Sequence, residues 1–255
     1  MSSETASYSA GDGKLVVDGL TKRFGGLTAV DDFSFAVSEG EILAIIGPNG
    51  AGKSTTFNCV TGRYRPTSGT VWFNGEDITG EPMYAVVNRG LARTFQSFRP
   101  LQDRNVVQNV MLALAPNRIF SLAGLTAKTH DRAVELCERV GLGGDLETLP
   151  GELPHAGILR LGVARALASE PEMLLLDEPF AGLASEEVDE LASLFESLRR
   201  NGITLAVIDH NVRGLLSLAD RVVVLNFGSK LTEGSPDEIR TDPDVRRAYL
   251  GGESV

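Results

Sequence analysis

The stretch "GPNGAGKST", Gly47–Thr55, constrains this chain more than any other, and it stands directly after the apolar run "EILAII". The run reads as a strand covered on both faces, and a helical pattern opens at Lys53. Glycines, lysine and serine at this spacing, between strand and helix, specify a phosphate cradle. Gly47, Gly50 and Gly52 let successive backbone N–H groups turn inward without a Cβ in the way. The loop Gly47, Pro48, Asn49, Gly50, Ala51 and Gly52 then forms an anion nest. The helix N-terminus adds positive potential. Lys53 reaches the β- and γ-phosphates, and the Ser54 hydroxyl, with Thr55 beside it, is placed to ligate Mg2+.

A second segment, "MLLLDEP" (Met173–Pro179), supplies acids that complement the cradle. An apolar strand ending in Asp177 fits an aspartate that holds Mg2+ directly or through water. Glu178 then lies beside the γ-phosphate, where it can polarise an attacking water as general base.

The rest of the chain alternates short apolar runs with helical patterns. "KLVVDGL", "DFSFAV", "TVWFNG", "ITLAVIDH" and "RVVVLNFG" join the two strands above, and helices are expected near Lys53–Val60, Ala127–Val140, Ser185–Arg200 and Asn211–Ala219. That pattern predicts an α/β fold with a largely parallel sheet. From about Ala85 to Glu170 strand signals are few, helical patterns at Val106–Leu114 and Ala127–Val140 dominate, and Pro100, Pro116, Pro150 and Pro154 break them. This stretch, residues 87–170, is expected as a helical sub-domain inserted into a core of residues 14–86 and 171–230. Residues 231–255 are expected as a helical tail with Ser235 and Thr241 as caps.

The chain has 255 residues, enough to bury a substantial core. Its net charge of −10 is opposite in sign to that of a nucleic-acid-binding surface, and no nucleic-acid partner is expected. Cys59 and Cys137 stand far apart without a C-x-x-C spacing and read as reduced packing residues. No apolar run approaches the roughly 20 residues of a membrane span. The start "MSSETASYSAGDG" lacks a basic region and an apolar core, so residues 1–13 are expected as a disordered tail rather than a signal peptide. Any membrane role is expected to run through a partner.

With both phosphate-site segments in place, the chain resembles an ATP-binding subunit of an ABC transporter along nearly its whole length. The resemblance implies a P-loop NTPase (RecA-like) core with a mostly parallel sheet, an N-terminal antiparallel β part and an inserted helical sub-domain. In "RTFQ", Gln96 matches the Q-loop glutamine, implying contact with the metal and a place at the seam between core and sub-domain. In "AVIDH", His210 matches the switch histidine near the γ-phosphate, and Phe24 in "LTKRFGG" matches the aromatic that stacks on adenine. "GPNGAGKSTTFNCVTGRYRPTSGTV", "LARTFQ" and "GSPDEIRTDPDVRRAYLG" are similar to the ATPases of branched-chain amino acid importers, a subgroup that shares these features with importers of urea or short amides. The resemblance implies ATP and Mg2+ as ligands. It also implies transmembrane permease subunits, a second ABC ATPase subunit, an indirect link to a solute-binding protein, and a peripheral position on the cytoplasmic face of the membrane. A weakly hydrolysing regulatory subunit is the alternative of a different class.

One element departs from the family. Before the helix "ILRLGVARAL" the family carries Ser-x-Gly-Gln, and here Pro154 stands at the serine, His155 at the variable position, Ala156 at the glycine and Gly157 at the glutamine. The family serine donates to the γ-phosphate of a nucleotide held by the opposite subunit; Pro154 has neither hydroxyl nor N–H. In "AGLASEE", Ala184 replaces the usual Asn or Asp. The loss faces the partner's nucleotide and spares the chain's own acids, so the resemblance implies an asymmetric heterodimer.

Overall fold

The computed structural model describes residues 8–94, 99–114 and 127–250. The chain opens with two long strands, β1 (Leu15–Phe24) and β2 (Leu27–Val37), then β3 (Ile42–Ile46), α1 (Lys53–Val60), β4 (Ser68–Phe73), β5 (Glu76–Asp77), α2 (Met83–Asn88) and β6 (Leu91–Arg93). Helices α3 (Val106–Leu114), α4 (Ala127–Arg139) and α5 (His155–Leu167) follow, then β7 (Met173–Asp177), α6 (Ser185–Arg200), β8 (Thr204–Ile208) and α7 (Val212–Leu218). The chain ends in β9 (Arg221–Asn226), β10 (Ser229–Gly234), α8 (Pro236–Thr241) and α9 (Pro243–Leu250).

Two sheets result. The smaller is antiparallel in the order β2-β1-β4-β5; the larger runs β10-β9-β3-β8-β7-β6, parallel from β9 to β6 with β10 antiparallel at its edge. The mostly parallel core and the N-terminal antiparallel part are as expected. Alternation explains why the central strands are apolar without a break. Ile42, Ala44 and Ile46 of β3 join one core with the helices, while Leu43 and Ile45 join the other with Phe33, Phe35 and Phe73 of the small sheet. Both faces are covered, so polar residues have no place until the strand ends.

Helix bounds follow local chemistry. Ser235 caps α8 by accepting from the Glu238 N–H, and Glu238 returns to the Ser235 N–H. Thr241 is not a cap. It is the last residue of α8 and donates to Asp237 O, while Asp242 Oδ1 accepts the N–H groups of Asp244 and Val245 at the start of α9. Strand β6 lies inside the stretch expected as helical and pairs with β7 in the large sheet; three residues are too few to show a period in sequence. Tyr8, in the expected tail, donates its N–H to Asp18. Cys59 and Cys137 are free and buried, and burial pushes each thiol up to about 11. Among the described residues, no helix is long and apolar enough to cross a membrane.

Gly62 and Gly40 have nearly equal positive φ, 74° and 73°, but a Cβ at Gly62 would lie 1.9 Å from Glu81 O whereas one at Gly40 meets nothing. Gly40→Ala should therefore cost only about 1 kcal/mol, the strain of an L-residue held in the left-handed region. Gly62→Ala should cost clearly more, read as a larger fall in urea midpoint at equal slope.

Candidate functional site

The parallel register gathers the site. Ile45 of β3 pairs with Ile208 of β8, and Ile208 pairs with Asp177 of β7, so the carboxyl ends of three adjacent strands lie in one row. The glycine loop leaves the end of β3, Asp177 closes β7, and His210 follows β8 by two residues. This is the crevice at the strand ends where open α/β sheets take ligands.

The loop packs tightly against β9. A Cβ at Gly47 would stand 2.2 Å from Leu225 O, and at Gly52 (φ 109°) 2.5 Å from Ala29 O. Helix α1 starts at Lys53 with no side-chain cap and no acid in its first turn, so its amide N–H groups have no side-chain acceptor. Lys53 is buried, and its Nζ donates to Gly47 O at 2.6 Å and Pro48 O at 3.1 Å, the carbonyls of its own loop. Burial lowers its pKa, more than Glu178, Asp209 and Asp177 raise it. Ser54 and Thr55 follow on α1, both half-buried. On the loop's outer side a cavity of about 800 Å³ is lined by Asn49, Gly50, Phe227 and, from α9, Arg247.

The acids stand opposite. Asp177 is 6% exposed; Arg93 donates to its Oδ2 at 2.5 Å, and its buried Oδ1 has no hydrogen-bond partner among the described residues. A buried carboxylate oxygen with no hydrogen-bond partner and a half-buried serine hydroxyl at the start of α1 fit Mg2+, which takes few protein ligands and completes its shell with phosphate and water. Among the described residues no larger His, Cys, Asp and Glu cluster gathers to hold a metal. Glu178 has a left-handed backbone, φ 51°, and its N–H reaches Ile208 O at 2.7 Å. That turn aims its carboxylate along the row, 3.7 Å from the half-exposed His210 Nδ1. Glu178 and His210, far apart in sequence, are thus brought together. Gln96 lies outside the described residues. Phe24 ends β1 with 42% of its surface exposed, set edge-on against Tyr64 with ring centroids 5.3 Å apart, and Lys22 Nζ lies 4.9 Å from its ring.

Three participants were missed from sequence. Arg93 grips Asp177, Tyr64 backs Phe24, and fully buried Asp209 accepts the Phe180 N–H at 2.7 Å and the Asn211 N–H at 2.8 Å. An arginine closing a short apolar strand and an aspartate closing another were the available signals. The departing element heads α5: Pro154 stands at its N-cap position without a side-chain cap, and His155 Nε2 lies 3.1 Å from Ala181 O.

The family model "ABC transporter" matches residues 30–181, and "Branched-chain amino acid ATP-binding cassette transporter" matches 229–255. The chain is 40% identical over 248 residues to the high-affinity branched-chain amino acid transport ATP-binding protein LivG of Salmonella typhimurium, covering 93% of this chain and 97% of the relative. It is 39% identical, with the same coverage, to the corresponding protein BraF of Pseudomonas aeruginosa. A crystal structure of an ATP-binding cassette of an ABC transporter in its ADP conformation superposes with a TM-score of 0.86 at 29% identity, over 94% of this chain and 98% of that one.

Lys53→Met should weaken ATP binding by about one to two decades, the worth of charge-assisted hydrogen bonds to phosphate. The nucleotide-free melting temperature should not fall with it, because the variant also removes a buried charge. Titration with a fluorescent ATP analogue, beside a thermal scan, reads both.

Proposed function

Because the chain belongs to the ABC transporter family of ATP-binding cassettes, we propose that it is the ATPase that powers a branched-chain amino acid importer. On this reading it works on the cytoplasmic face of the membrane through permease subunits and closes on ATP against a second, different ATPase subunit. The observation that carries the reading is the row Lys53, Asp177, Glu178 and His210 at three adjacent strand ends. The names of LivG and BraF, and the subgroup match at 229–255, favour branched-chain amino acids over urea or short amides.

Each residue has a task in this proposal. The Gly47–Thr55 loop and Lys53 hold the phosphates, Lys53 exchanging the carbonyls of Gly47 and Pro48 for phosphate oxygens. Phe24, exposed at the end of β1 and backed by Tyr64, stacks on adenine. Asp177 and Ser54, with Gln96, would hold Mg2+, which would supply charge neutralisation to the phosphates. Glu178 accepts the proton of the water whose oxygen bonds the γ-phosphorus, as the bond to the β–γ bridging oxygen breaks and ADP leaves. His210, within 3.7 Å of Glu178, orients that carboxylate and contacts the γ-phosphate.

The Pro154–Gly157 element faces the partner's nucleotide in this arrangement. The chain's own P-loop site keeps its acids and hydrolyses, while the partner's site, facing a proline, turns over slowly.

Two experiments follow. Glu178→Gln should keep ATP affinity and slow hydrolysis by about 10²–10⁴-fold, trapping a closed ATP-bound dimer; turnover at the wild-type rate would place the base elsewhere. Replacing Pro154→Ser, Ala156→Gly and Gly157→Gln together should speed the partner's site by about one to two decades, and so raise the ATPase rate of the complex toward about twice its value. The gain should vanish when the partner's P-loop lysine is removed. Gly157→Gln alone should do less, because Pro154 still offers no hydroxyl to the partner's phosphate.

A further inference from the structure

Arg93 closes β6, the edge strand that pairs with β7 through Leu91–Met173, Ala92–Leu174 and Arg93–Leu175. Its guanidinium is planar and carries donors in a fixed fork. One arm, NH2, donates to Asp177 Oδ2 at 2.5 Å; the other, NH1, donates to Asn58 Oδ1 at 2.9 Å and Thr61 Oγ1 at 3.3 Å. The fork also lies 5.6 Å from the Phe57 ring centroid. Asn58 and Phe57 belong to α1, the helix that begins at Lys53, and Thr61 is its C-cap. Arg93 therefore spans three pieces of the site: the phosphate helix, the strand bearing Asp177, and its own edge strand. Both charged side chains are about 95% buried, at 4% and 5% exposure.

The pairing divides the work of the carboxylate. Oδ2 is taken by Arg93, and Oδ1 is buried with no hydrogen-bond partner among the described residues. The backbone is stitched beside it, with Thr94 N–H on Leu175 O at 2.9 Å and the Asp177 N–H on Thr94 Oγ1 at 3.3 Å. A carboxylate gripped at one oxygen, on a strand held on that side, has one orientation left for the other. We propose that Arg93 is the positioning residue of the metal site: its fork, braced on Asn58 and Thr61, turns Asp177 so that Oδ1 faces the divalent cation. The proposal rests on Asp177 being the metal ligand. Partners of this kind, one shell out from a metal, typically set its affinity by about 10–100-fold.

The test is a Mn2+ titration of the full chain saturated with ATP, followed by the free-ion EPR signal, beside ATP affinity in EDTA. Arg93→Met should weaken Mn2+ binding about 10–100-fold and leave metal-free ATP affinity unchanged. Arg93→Lys should recover only part of the loss, because one ammonium cannot hold Asp177 and the α1 acceptors together. Asn58→Ala, which keeps the ion pair but removes a brace, should give a smaller loss of the same kind. Wild-type Mn2+ affinity in Arg93→Met, or full recovery by lysine, overturns the proposal. So does loss of metal-free ATP binding in Arg93→Met and Asn58→Ala together, which would make the fork a support of the fold alone. Asp177→Asn separates the two readings. If it lowers Mn2+ affinity while Arg93→Met does not, only the role of Arg93 falls; if it changes nothing, the assignment of Asp177 as ligand falls and this inference with it.

Discussion

Strands β3, β8 and β7 lie side by side and in step, Ile45 against Ile208 and Ile208 against Asp177, so three chain segments leave the sheet at one level. Everything polar in the site begins where this apolar slab ends. Within these three strands, burial on both faces excludes charge until Asp177, the last residue of β7; one residue beyond the strand ends, the glycine loop, Glu178 and Asp209 appear together. A slip of one residue in β7 would turn the Asp177 side chain to the opposite face of the sheet. The close-packed cores on both faces of the sheet resist that slip.

Three of the charges gathered at this edge are buried, and each is held by polar partners. Lys53 rests on two loop carbonyls, Asp209 on two backbone N–H groups, and Asp177 on Arg93. Such groups are costly unless paired, and paired they rigidify their surroundings. Asp209 does a further structural service. By accepting from Phe180 and from Asn211 it ties the segment after Glu178 to the segment carrying His210. The left-handed backbone at Glu178, unfavourable for a residue with a Cβ, persists because both flanks are pinned.

How much of this was legible in sequence depended on range. The phosphate loop is local: its glycines, lysine and serine lie within nine residues, Gly47–Thr55, and the physics of the nest needs nothing else. Asp177 and Glu178 were legible because the strand before them is unbroken and apolar. Arg93, Tyr64 and Asp209 were not, because each acts on a partner that only the fold brings near: Arg93 and Asp177 are 84 residues apart, and Phe180 and Asp209 are 29 apart. Gln96 and His210 needed the family resemblance, since a lone glutamine or histidine after a strand has many bland uses. At the C-terminus Thr241 and Asp242 are both good cap residues; Pro243, favoured at the first helical position, selected the aspartate before it.

The departure at α5 removes less than the substitutions suggest. Pro154 has lost the hydroxyl and the N–H of a serine, yet its carbonyl still accepts the Ile158 N–H at 3.1 Å, so the helix begins in register. No side chain caps that end and no acid stands in its first turn. The first-turn amides therefore keep their partial positive charge directed out of the helix. His155, the first helical residue, reaches back to Ala181 O and ties this end to the loop that carries Ala184. The element keeps the backbone half of an anion-facing helix start and has lost the side-chain half. In the proposed heterodimer the partner's phosphate would still meet a favourable field, without the directed bond that strengthens in the transition state. Interactions felt equally by ground and transition states support binding, not rate. The site opposite Pro154 should thus close on ATP and help hold the dimer together, while the chain's own acids carry the faster chemistry.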